Sequence, residues 1–270
     1  MRFELTLFQG RAGDHNDLAM AGARSLAIAM QTLLKGELAV IGTPKPALNM
    51  NWDVELESAR SELAQLQARI NDIYARGWRP LSATSRCAAS IATLPAVVRH
   101  HPDACVVWFD AHADLNTPLS TTSGYLGGLA LSASLGLWES GFGNGLSFGN
   151  VVLIGQRDMD PFELEVMRDH NIKHIPPNAS ITEVLREAID GRSVYVHLDC
   201  DVLDPGIVPT DYIHDGGLSL NDLREAMIVI GEHSVIGIEV AEFQDAWAPG
   251  GGPVSPSPLL EALLPAIFSR

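Results

Sequence analysis

The chain has 270 residues, 46% of them hydrophobic, with 18 Lys and Arg against 33 Asp and Glu and a formal net charge of −15. That length is enough for one large domain with a full core, and the acidic balance argues against a nucleic-acid or anionic-membrane partner. Three cysteines, Cys87, Cys105 and Cys200, make no disulfide framework and fit a reducing, cytoplasmic compartment; no segment approaches the ~20 apolar residues that span a bilayer. In chain order, short apolar runs alternate with helical patterns. Strands are predicted over 3–8, 38–42, 79–83, 105–109, 151–155, 194–198 and 235–240. Helices are predicted over 14–34, 54–76, 85–99, 162–170, 181–190, 220–231 and 258–269. Most of the strands are rich in Val, Ile and Leu without polar alternation, which is how strands buried on both faces of a parallel sheet read. The alternation predicts an α/β fold, a three-layer α/β/α sandwich with a mostly parallel central sheet and residues 1–270 in a single domain. The glycine-rich stretch 141–149 lacks the strand-before, helix-after context of a dinucleotide fingerprint and reads as a loop. The Gly/Pro/Ser stretch 248–258 reads as a connection into the last helix.

Two of the strands end in acids. The run Cys105-Val-Val-Trp-Phe109 leads straight into Asp110, His112 and Asp114, and Val194-Tyr-Val-His-Leu198 into Asp199 and Asp201. Extended backbone sends alternate side chains to one face, so each set points one way. Crowded carboxylates and an imidazole are costly unless a cation binds them. The set suits a first-row divalent metal, and four carboxylates suggest more than one ion. The alternative for either motif alone is a solvated strand-to-loop cap; two such motifs, each after a buried strand, favour a functional cluster. Ligands of doubly wound sheets lie beyond the carboxyl ends of the strands, where these acids fall.

The segments WFDAHADLNTPLSTTSG (108–124), VHLDCDVLDPG (196–206) and IGIEVAEF (236–243) resemble the ureohydrolase (arginase) family, in order from about residue 79 to the end of the chain. The resemblance implies an arginase-like fold, a binuclear manganese (Mn2+) site and hydrolysis of a guanidino group by metal-activated water. Asp110 and Asp199 match the bridging carboxylates, Asp114 the first metal's shell, and His112 and Asp201 the second's. Glu242 matches the carboxylate that salt-bridges the substrate guanidinium, a planar cation suited to a carboxylate acceptor; on its own it reads equally as a strand-end acid. Asn116, Thr121 and Ser123 match positions that grip an α-carboxylate, and Asp158 and Asp160 positions that hold an α-amino group. The implied partner is therefore a small-molecule guanidino amino acid rather than a decarboxylated amine. The segment 258–270 carries no long tail of the kind that builds larger arginase assemblies, so a monomer or small homo-oligomer is expected.

Three departures from the family pattern bear on specificity. Cys87 falls where a GGDHS-like turn would supply a ligand histidine; a softer thiolate predicts a weak or altered first metal site, and the alternative is a small buried cysteine with no ligand role. Gly127 falls where a histidine would pass a proton to the leaving amine, a loss that matters less for a less basic guanidine; the glycine is also expected to leave room for an extra oxygen. His197 and His214 are candidate replacement donors, each equally readable as a packed or solvated histidine. The loop 210–215 differs from the family's and borders the site. Together these resemble a narrower group of antibiotic biosynthesis, hydrolysing Nω-hydroxy-L-arginine to hydroxyurea and L-ornithine, with Asp201 passing the proton to the departing nitrogen. The alternatives are an ordinary arginase making urea and a degenerate, non-catalytic guanidino-binding protein.

Overall fold

The computed structural model describes residues 2–177 and 180–269. Its centre is an eight-stranded, all-parallel sheet in the order β2-β1-β3-β8-β7-β4-β5-β6. The strands are β1 (Phe3–Phe8), β2 (Leu38–Ile41), β3 (Arg79–Thr84), β4 (Cys105–Phe109), β5 (Val151–Ile154), β6 (Lys173–Ile175), β7 (Val194–Asp199) and β8 (Val235–Ala241). Helices α1 (Leu18–Leu34), α6 (Ile181–Ile189), α7 (Leu220–Gly231) and α8 (Ser257–Ile267) pack on one face; α2 (Trp52–Ala75), α3 (Ser90–His100), α4 (Ala130–Ser134) and α5 (Pro161–Asp169) pack on the other. The expected three-layer sandwich is therefore present. Along β7, Val194, Val196 and Leu198 enter one core, while Tyr195 enters the other. Two-sided burial explains why the central strands lack polar alternation.

Two elements were not expected. Strand β6 is short, and its Lys173 is exposed; an edge strand of that kind carries little apolar signal. Helix α4 is one turn long in a glycine-rich region. Helix α1 begins at Leu18 rather than 14, because Asp14 is turned inward as a buried side chain, its carboxylate accepting from the Ala12 N–H. Among the described residues no helix is long and apolar enough to cross a membrane.

Chain order does not bring the acid motifs together; sheet order does. Strands β3, β8, β7 and β4 are adjacent, and their carboxyl ends carry Cys87, Glu242, the Asp199–Asp201 pair and the Asp110–Asp114 run. The β4–β7 register pairs Phe109 with Leu198, which sets Asp110 beside Asp199 one residue later. Beyond β7 the chain makes a long excursion closed at its neck. Leu203 and Leu218 form a bridge, the Asp204 N–H donates to the Leu218 carbonyl at 2.9 Å, and Asp204 Oδ1 accepts from Gly216 and Gly217 N–H. Gly217 is required at that neck, since a Cβ there would lie 2.5 Å from the Leu203 carbonyl carbon.

Candidate active site

The carboxylates converge in a buried cluster. Asp110 Oδ1 accepts from the His112 N–H at 2.7 Å, and its Oδ2 from Trp108 Nε1 at 3.0 Å. Asp201 Oδ1 accepts from the Ala111 N–H at 3.0 Å, and Asp199 Oδ1 from the Asp201 N–H at 2.8 Å. The His112 Nδ1 lies 3.1 Å from Asp201 Oδ2 and 3.2 Å from Asp110 Oδ1. Asp114 adopts φ 51°, a strained left-handed backbone, and its buried Oδ2 has no hydrogen-bond partner.

The electrostatics ask for a cation. Burial, then the neighbouring carboxylates, push Asp110, Asp114 and Asp199 above the usual carboxylate range. Burial alone would lower His112, but its hydrogen bonds to Asp110 and Asp201 raise it. Burial would likewise raise Asp201, but the His112 bond holds it low. His112 thus sits between two acids that favour its charged form. Asp110, His112 and Asp201 offer ligand atoms within 4.8 Å of one another, as do Cys87, Asp199 and Glu242. An orphaned carboxylate oxygen, mutually repelling acids and an O/N donor set fit divalent metal ions.

Cys87 opens the turn after β3 and is buried. Its thiol donates to Asp199 Oδ2 at 2.9 Å, and its Sγ lies 3.2 Å from His197 Nε2. Burial, then the nearby acids, push the thiol well up, so a metal ion would have to displace its proton. His197 is held from behind. Its Nδ1 donates to Glu239 Oε1 at 2.8 Å, and its ring stacks on Trp108 at 3.6 Å between centroids. His197 is the candidate replacement proton donor of the sequence. His197 is wholly buried and faces Cys87, outside the lining of the cavity, because β7 turns it into the sheet layer beneath the acids.

The cavity above the cluster measures about 200 Å3. Cys87, His112, Asp114, Asp199, Asp201 and Glu242 line it, together with Asn116, Ser123, Asp158 and Asp160. Asn116 Nδ2 donates to Asp160 Oδ2 at 2.8 Å; Asp158 reaches His214 at 3.4 Å and His112 at 3.8 Å. Thr121 is the exception among the expected contacts. Its hydroxyl accepts from the Gly124 N–H at 3.0 Å, closing a turn, and Thr122 lines the cavity instead. Gly127 is a second correction. A Cβ there would lie 2.4 Å from the Tyr125 ring, so the space is filled rather than open.

Tyr125 and Arg86 are the residues sequence reasoning missed. Glu242, at φ 65° beyond β8, accepts from Tyr125 Oη at 3.0 Å and the Cys87 N–H at 2.9 Å on Oε1, and from Arg86 Nη1 at 2.7 Å on Oε2. Arg86 also donates to Asp14 at 2.9 Å and to Asp211 at 2.9 Å. The signal for Arg86 was its place immediately before Cys87, where a GGDHS-like turn would have an acid. Tyr212, from the expected loop, and Glu163, at the start of α5, also line the cavity.

A model of the arginase family matches residues 16–251. The chain is 36% identical over 241 residues to the N(omega)-hydroxy-L-arginine amidinohydrolase of Streptomyces lavendulae, covering 88% of this chain and 88% of that one. It is 33% identical over 192 residues to the arginase of Bacillus caldovelox, covering 64% of this chain and 63% of that one. The native B. caldovelox arginase structure superposes with a TM-score of 0.84 at 23% identity, over 100% of this chain and 98% of that chain. The arginase of Bacillus subtilis gives 0.85 at 21% identity, over 100% and 99%. The structures carry the fold and the sequences carry the kinship: the chain belongs to the arginase family and is a hydrolase acting on guanidino groups.

Proposed function

We propose that the enzyme hydrolyses Nω-hydroxy-L-arginine to hydroxyurea and L-ornithine. The observation that carries this reading is the stretch of cavity wall beside Gly127. It holds the Tyr125 ring and no imidazole, and among the described residues the only histidine lining the cavity is His112, bonded to Asp110 and Asp201. A strongly basic alkylguanidinium expelling a strongly basic amine needs a dedicated acid. A hydroxyguanidine is less basic and more readily attacked in its neutral form, so it places less demand on that acid. The likeness to the S. lavendulae protein supports the same substrate.

Cys87, Asp110, His112, Asp114, Asp199 and Asp201 would hold two Mn2+ ions, with the softer Cys87 weakening one position. Bound metal supplies an ionised water at neutral pH and Lewis-acid polarisation. Asn116, Ser123, Asp158 and Asp160, which line the cavity, hold the amino-acid end. Glu242 faces the guanidino group. As the water oxygen adds to the guanidino carbon and the bond to the ornithine Nδ breaks, Asp201 carries a proton to that nitrogen.

The test is ornithine release by manganese-loaded protein from each substrate. A kcat/KM at least about tenfold higher for Nω-hydroxy-L-arginine, or roughly 1.4 kcal/mol of transition-state preference, is expected. Equal or faster turnover of L-arginine would leave an ordinary arginase.

A further inference from the structure

Arg86 is among the largest side chains sealed in this fold, with 0% of it exposed. A guanidinium cannot shed its charge in a protein, so it must be matched, and here three carboxylates match it: Asp14, Asp211 and Glu242. Asp14 arrives from the turn before α1, Asp211 from the loop closed at Leu203 and Leu218, and Glu242 from beyond β8. The guanidinium is thus held by three separate segments and is a fixed part of the site.

The consequence falls on Glu242, which lines the cavity. An ionised carboxylate has about four acceptor positions. Three are already filled, by the Cys87 N–H, Tyr125 Oη and Arg86 Nη1. A bidentate fork from an incoming guanidinium needs one free position on each oxygen, pointing the same way. Oε1 already has two donors. Arg86 Nη1 also stands on Oε2, the oxygen that the second arm of such a fork would need.

We propose that Arg86 is a specificity-determining residue: by occupying Glu242 with an internal guanidinium, it strips the site of its preference for a cationic guanidino group and leaves a single acceptor position for one N–H or O–H of a neutral one. The inference rests on the reading above that Glu242 faces the guanidino end of the substrate. It names a chemical class, uncharged guanidine-type groups, and it assigns Arg86 a positioning role exerted through Glu242.

The experiment compares binding of L-arginine, a cation at its tip, with L-citrulline, its neutral ureido counterpart, by calorimetry on the manganese-loaded enzyme. Any hydrolysis of arginine registers as continuing heat, separate from the binding step. The wild type is expected to bind the two within about threefold. In Arg86→Gln combined with Asp14→Asn, which removes one charge of each sign, arginine should tighten at least tenfold relative to citrulline. Arg86→Lys, which keeps the charge, should restore the wild-type ratio, which a purely structural role would not require. A wild type that already favours arginine tenfold overturns the proposal, whether or not the double variant folds. So does a double variant with wild-type thermal stability and an unchanged ratio. Because the readout is affinity, it is separable from turnover: a wild type that hydrolyses arginine faster than its hydroxylated form, yet binds citrulline equally well, would sink the proposed substrate and leave Arg86's role standing.

Discussion

At the scale of single residues, the site is set by pairs that compensate for each other. Gly127 and Tyr125 are one such pair, the ring standing where a side chain at 127 would begin. Gly127→Ala should therefore cost about 1–3 kcal/mol by overpacking, and in Tyr125→Ala the same change should cost much less. A double-mutant cycle by urea denaturation would measure this coupling; additive costs would mean the ring simply swings aside. Cys87 and His197 form a second pair, backed by Glu239. The ligand-type residues Asp110, His112, Asp114, Asp199 and Asp201 were legible in the sequence because period-two spacing at a strand end exposes them. Glu242 was legible only by resemblance. Arg86 carried only the signal of its place before Cys87, and its three carboxylate partners, like the Tyr125–Glu242 contact and the burial of His197, were not legible because the partners are distant in sequence. Thr121 and Thr122 differ by one position in a turn, and no periodicity decides which of them faces inward.

At the scale of elements, α5 ties the cavity lining to the acid loop. Asp160 and Glu163 form a capping box at its start; Glu163 Oε2 accepts from the Asp160 N–H at 2.9 Å, and Oε1 from the Leu115 N–H at 2.9 Å. Burial pushes the Glu163 carboxyl up to about 7, against its ordinary 4.5. Between those values the folded protein keeps a proton that the unfolded chain has lost. This contribution to stability is full below the unfolded pKa and falls away as pH rises to about 7, by about 3 kcal/mol in all. Glu163→Gln lacks that slope. In chelator-treated protein, the stability of the wild type minus that of the variant should therefore shrink from pH 5 to pH 8; a constant gap in urea melts would show Glu163 ionised throughout. The central strands β4, β5, β7 and β8 were readable because two-sided burial leaves largely apolar runs, and the edge strand β2 was readable from its apolar composition alone. Strand β6 and helix α4 were not, being too short and too exposed or glycine-rich to carry a period.

At the scale of the whole molecule, the candidate active site is a concentration of negative charge at the carboxyl ends of the strands of an acidic protein, and bound metal would relieve it. Ions that bind only the folded chain should stabilise it by about 2.7 kcal/mol at a hundredfold excess over Kd, roughly 5–10 °C in Tm for a chain of this size. Thermal melts across a manganese titration, started from chelated protein, should show that rise. A Tm indifferent to metal would mean that the cluster is satisfied by protons alone. The neck at Leu203 and Leu218 adds a consequence for design. Asp211, Tyr212 and His214 all sit inside the closed excursion, while Asp199 and Asp201 precede it. The segment from Asp204 to Gly217 is therefore a cassette with both ends pinned to each other. An engineer can graft another segment between those ends, re-cutting the cavity wall at Tyr212 while the strands that carry Asp110, Asp199 and Asp201 stay untouched.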